Sequence, residues 1–68
     1  MTLQEFNKIS KELNRSEYLV REGSYSTVYR KGNVTFTLMD DGYTSTIVRG
    51  KKKYIKNYNN EISEENLG

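Results

Sequence analysis

Cysteine, histidine, proline and tryptophan are all absent from this sequence of 68 residues. Without cysteine no disulfide can staple the fold, and without cysteine or histidine the ordinary ligand sets for zinc and haem are missing. No metal site and no cofactor are therefore expected. The lack of cysteine also accords with a reducing compartment, and the lack of proline argues against a proline-rich linker. No apolar run approaches the length of a membrane span or a signal-peptide core, and Met1-Thr2-Leu3-Gln4-Glu5 carries no basic residue. The expectation is a soluble cytoplasmic protein with no membrane partner. A general acid/base pair or an activated nucleophile would need titratable groups converging in a pocket. With neither histidine nor cysteine and a chain this short, no catalytic residue and no small-molecule substrate are expected.

The charge that is present is unevenly spread. The net charge is +2, but residues 1–60 carry +5, while Glu61, Glu64 and Glu65 place −3 on the last eight residues. A moderately basic body permits contact with nucleic acid without requiring it. Richness in lysine, asparagine, tyrosine and isoleucine suggests an AT-rich genome, and short chains of this kind fit a phage or mobile-element origin. A domain of this size buries only roughly 60% of the surface its unfolded chain exposes. Packing or self-association has to supply its stability.

Thr2-Leu3-Gln4-Glu5 has the form of a capping box, in which the Thr2 hydroxyl accepts from the Glu5 amide, and Met1 and Phe6 stand at the hydrophobic-staple positions. Leu3, Phe6, Ile9 and Leu13 then recur at helical spacing. They predict an amphipathic helix over residues 3–14. Beyond Ser16 the period becomes two, and small turn residues return every nine positions: Gly23-Ser24, Gly32-Asn33, Asp41-Gly42 and Gly50-Lys51. This rhythm predicts a β-meander of five strands.

If each turn is a two-residue loop, the register can be carried through all four hairpins. Tyr18 and Val20 then oppose Tyr29 and Thr27, and these oppose Phe36 and Leu38. Phe36 and Leu38 oppose Ile47 and Ser45, and Ile47 and Tyr43 oppose Tyr54 and Tyr58. One face collects every aromatic outside the helix, Tyr25 included, and is the predicted core. The other carries Leu19, Arg21, Val28, Arg30, Thr35, Thr37, Met39, Thr44, Thr46, Val48, Lys53 and Ile55. A helix of about 18 Å over a sheet of about 19 to 24 Å leaves one margin bare, with Tyr54 and Tyr58 expected there as a half-exposed patch. Residues 1–60 are expected to form a single α+β domain, one N-terminal amphipathic helix on a five-stranded antiparallel β-meander in two layers. Residues 61–68 are expected to be an acidic, disordered tail, with folding back over the lysine hairpin as the alternative.

Three stretches invite a chemical reading. Arg21-Glu22-Gly23-Ser24-Tyr25-Ser26-Thr27-Val28 resembles the glycine-rich loop of protein kinases, but only Gly23 and Val28 match, and Arg21 and Ser26 stand where that family has glycine. The elements that work with that loop, V-A-I-K, H-R-D and D-F-G, are missing, and the stretch reads as a hairpin. Asp40-Asp41 pairs carboxylates, yet Asp-Gly is a common hairpin turn and no third carboxylate lies near it. Arg49-Gly50-Lys51-Lys52-Lys53 is a basic cluster that Arg21 and Arg30 extend along the threonine face. It suits phosphate contact or an acidic protein partner, or it protects a sheet edge from pairing.

The leading functional expectation is a non-enzymatic binding module that docks on a partner protein or on a second copy. Its candidate surface comprises Tyr54 and Tyr58 with Leu19, Val28, Met39, Val48 and Ile55. The rival expectation is a nucleic-acid-binding regulator using Arg21, Arg30, Arg49, Lys51, Lys52 and Lys53.

Overall fold

A computed structural model describes all 68 residues, Met1–Gly68. Helix α1 spans Leu3–Leu13, and the Thr2 hydroxyl accepts from the Glu5 amide at 3.1 Å, so the forward half of the capping box is formed. Met1 packs against the core beside Phe6, as a staple should. The helix ends at Asn14, whose amide donates to the Ser10 carbonyl. A short 3-10 turn, Ser16–Tyr18, leads into the sheet. Six strands follow: β1 Leu19–Glu22, β2 Ser26–Lys31, β3 Val34–Met39, β4 Ser45–Arg49, β5 Lys52–Lys56 and β6 Ile62–Asn66. They pair in chain order, each antiparallel to the last. No helix is long and apolar enough to cross a membrane.

The three central hairpins have the register that the alternation predicts. Tyr29 faces Phe36, Phe36 faces Ile47, and Ile47 faces Tyr54. Gly32 and Gly50 open their two-residue turns at φ +60° and +64°, the left-handed region that a side chain with a Cβ enters only at a cost. Across the sheet, Phe36, Ile47 and Tyr54 form a buried row beneath Phe6 and Leu13 of the helix. Phe6 and Ile47 are wholly inaccessible. Tyr29 stacks on Phe36 with centroids 5.9 Å apart, extending the row to β2.

Three expectations are corrected. Residues 62–66 are not a tail: they form β6, with Ile62 opposite Lys56 and packed against the core. Tyr54 consequently lies inside, at 6% exposure, instead of forming a margin patch with Tyr58. At the other edge the pairing of β1 slips. Leu19 faces Tyr29, but Arg21 faces Val28, with a bulge between them. The extra residue returns Leu19 to the helix side of the sheet and leaves Val20 61% exposed. Tyr18, in the 3-10 turn, is half-buried and not a strand residue.

One face of the sheet is covered by α1 and the other is open. The chain exposes 4839 Å², more than the roughly 4,450 Å² that size scaling gives for a monomer of 8.0 kDa. The excess fits a two-layer fold with one bare face.

Candidate functional site

Three surfaces follow from this topology: the open sheet face and the two ends of the meander. On the open face, Arg30, Thr35, Val48, Lys53 and Glu65 stand in one cross-strand row. Arg21, Val28, Thr37, Thr46, Ile55 and Ser63 form the next. Val28 and Met39 are diagonal neighbours, as are Val48 and Ile55, and all four are half-buried. Thr37 and Thr46 lie between the two pairs. The predicted apolar members are thus on this face, Leu19 excepted, but they make two small islands among threonines. β-branched residues on a pleated surface shield one another in this way without a ligand.

The basic end of the meander holds the turns at residues 32–33 and 50–51. Strand β6 runs alongside it and brings carboxylates to the lysines. Lys52 Nζ lies 3.5 Å from Glu64 Oε1, Lys53 is paired across from Glu65, and the Leu67 amide donates to the Lys51 carbonyl at 2.8 Å. Lys31 pairs with Glu12 of the helix and lies 5.5 Å from the centre of the Tyr18 ring. This pair holds the Glu12 carboxyl below its ordinary value and raises the Lys31 ammonium above its own. Arg30 turns its Nε to the Gly32 carbonyl at 3.3 Å. Arg21, Arg49 and Lys51 remain exposed and without a carboxylate partner. The basic candidates are therefore divided: Arg49, Lys51 and Lys52 flank one turn, while Arg21, Arg30 and Lys53 lie on the open face.

The opposite end has a different character. In a meander every second connection falls at the same end, so residues 23–25, 40–44 and 57–61 share one rim. Each segment carries one tyrosine, and all three are exposed: Tyr25 at 78%, Tyr43 at 67% and Tyr58 at 74%. Their neighbours are glycine, serine, threonine, asparagine, aspartate and glutamate, and none of these segments contains lysine or arginine. Glu22, Asp40, Asp41 and Glu61 bring carboxylates to the rim, while Arg21 lies beside the Tyr25 loop and Lys11 and Lys56 beside Tyr43.

These loops are internally braced. The Asp41 carboxylate accepts from the amides of Tyr43 and Thr44, both at 2.8 Å, and from the Thr44 hydroxyl at 2.7 Å. These bonds hold its carboxyl below the ordinary aspartate value, the Thr44 amide contributing most. Asp41 is thus engaged by its own turn. Asn57 Oδ1 accepts from the amides of Asn59 at 2.9 Å and Glu61 at 3.0 Å, and Asn60 takes the positive φ that closes that loop. The Asp40 amide donates to the Tyr25 carbonyl at 2.9 Å, tying the first loop to the second.

The sequence expectation sends Tyr25 and Tyr43 inward and leaves Tyr58, on the same face, half-exposed at a bare margin; all three are exposed. It does so by extending the alternation of the strands into the turns. In fact Met39 and Thr44 close the third hairpin, with the Met39 amide donating to the Thr44 carbonyl, so Tyr43 belongs to the loop. The signal was local: each tyrosine directly follows a turn residue, Ser24, Gly42 or Asn57. No protein-family model, no curated protein and no solved structure matches the chain.

Proposed function

We propose that this chain is a small non-enzymatic binding module that docks on a partner protein through its tyrosine-bearing loop end. One observation carries the reading: three exposed tyrosines stand on three neighbouring braced loops of one rim. Tyrosine supplies a large amphipathic contact at low entropic cost, and loops rich in tyrosine, serine, glycine and asparagine are the usual material of binding surfaces. Bracing before contact lowers the ordering cost of association. The rim's carboxylates favour a partner with basic residues around an apolar patch. A phage or mobile-element origin, with docking on a host or phage protein, fits the composition.

The test is capture from lysate of the source cells by three forms of the chain. The reading expects one protein held by the wild type, lost at least about tenfold when Tyr25, Tyr43 and Tyr58 are all serine, and kept when Lys51, Lys52 and Lys53 are glutamine. A tenfold loss corresponds to about 1.4 kcal/mol, well within what exposed tyrosine anchors supply. Equal capture by the tyrosine variant sinks the reading. A DNA or RNA gel shift that falls steeply with salt, and with the lysine variant, would instead establish the nucleic-acid alternative.

A further inference from the structure

Beside the Tyr43 loop, and distinct from the tips of the other two, a groove of about 360 Å³ opens between α1 and strands β3 to β5. Its volume is within the range of small-molecule sites, where a thin two-layer fold is expected to leave little room. Phe36 and Leu38 provide apolar lining, while Asn7, Ser10, Lys11 and Asn14 approach from the helix. Ser45 and Lys56 come from the sheet. Of the ten lining residues two are lysines and none is a carboxylate.

Two of these groups stand out. Lys56 is half-buried, with Nζ 5.4 Å from the centre of the Phe6 ring and 2.9 Å from Asn7 Oδ1. No carboxylate lies within ion-pair distance of it. An ammonium has three donors, and the Asn7 bond uses one. Ser45 is the only buried polar residue of the chain, at 4% exposure, and its hydroxyl makes no hydrogen bond with another side chain or with the backbone. No buried side-chain nitrogen or oxygen of the chain lacks a partner, so this unbonded hydroxyl reaches solvent, and Ser45 lines the groove.

We infer that this groove binds a small organic oxyanion, a carboxylate or a phosphate monoester, whose apolar portion rests on Phe36 and Leu38. Lys56 and the Ser45 hydroxyl donate to the oxyanion, and Lys11 at the rim adds attraction. A charge-assisted hydrogen bond is about twice as strong as a neutral one. Excluding carboxylates from the lining leaves both lysines available for an anion.

The probes are benzoate, phenyl phosphate and benzylammonium, titrated into the full chain with backbone amide NMR shifts as readout. Saturable shifts at groove residues are expected with at least one of the two anions in the millimolar range, and none with the cation. The anion that binds more tightly identifies the headgroup. Lys56→Gln is expected to weaken binding about tenfold, and Lys11→Gln, on an exposed helix position that does not endanger folding, by a few-fold. Tyr25→Ser and Tyr58→Ser are expected to leave it unchanged, so failure here and failure of the docking reading are separable. Three results overturn the inference: no saturable shift with either anion, equal shifts with benzylammonium, or anion shifts centred on Lys51 and Lys52 that Lys11→Gln does not alter.

Discussion

Phe6→Ala is expected to lower stability by about 3 to 4 kcal/mol, read as a shift of the denaturant midpoint. Phe6 is wholly inaccessible and packs, with Leu13, in one cluster with the buried row Phe36, Ile47 and Tyr54. It also underlies the Lys56 ammonium. Truncation removes the transfer free energy of the ring and leaves a cavity between two thin layers. A chain of this length has about 3 to 10 kcal/mol of stability in all, so the variant is expected to be substantially unfolded in mild denaturant. Leu3→Ala, on the same helix but 37% exposed, is expected to cost less than about 1 kcal/mol. Similar losses for the two would mean that the helix is not packed as described.

Ending the chain after Glu61 is expected to cost about 2 kcal/mol and to expose Tyr54 to solvent. The loss is dominated by the apolar surface of Ile62 and of the flank it covers on β5, roughly 1.5 to 3 kcal/mol. The ladder bonds of β6 add net stability, but ordering the last residues offsets much of it. Tyrosine fluorescence quenching and the denaturant midpoint would both report the change. An unaltered midpoint would return residues 62–66 to the status of a tail. The same truncation removes Glu64 and Glu65 from beside Lys52 and Lys53, so the shortened chain is also expected to bind polyanions more readily than the full one.

The helix and the three central hairpins were legible because each rested on two agreeing signals. The capping box agreed with the helical stripe, and the turn residues agreed with the alternation of Phe36, Leu38, Ile47 and Tyr54. The edges were harder to read. At β1 the bulge after Leu19 has no sequence mark, since Leu19-Val20-Arg21 alternates no worse with or without it. At β6 the mark was present but incomplete: Asn59-Asn60 continues the nine-residue turn rhythm of positions 23, 32, 41 and 50, while Ile62-Ser63-Glu64-Glu65-Asn66 offers one apolar residue and reads as solvated. An edge strand that covers only the flank of Tyr54 needs no more than that. Tyr25 and Tyr43 are read as inward-facing for a related reason. A period of two assigns a face to every residue, including those that have left the strand.

The same distinction separates the three surfaces. The threonine face is continuous but has few anchors, and the basic end is partly countered by β6. The rim presents Tyr25, Tyr43 and Tyr58 on loops whose backbones are already fixed by hydrogen bonds. We propose that partners meet the molecule there. The most direct test is a photo-crosslinking side chain placed in turn at position 58 on the rim, 48 on the open face and 51 at the basic turn. Each form is exposed to lysate of the source cells. Adduct formation with one discrete protein from position 58, with positions 48 and 51 silent, is the predicted result. Adducts from 48 or 51 with none from 58 would contradict it.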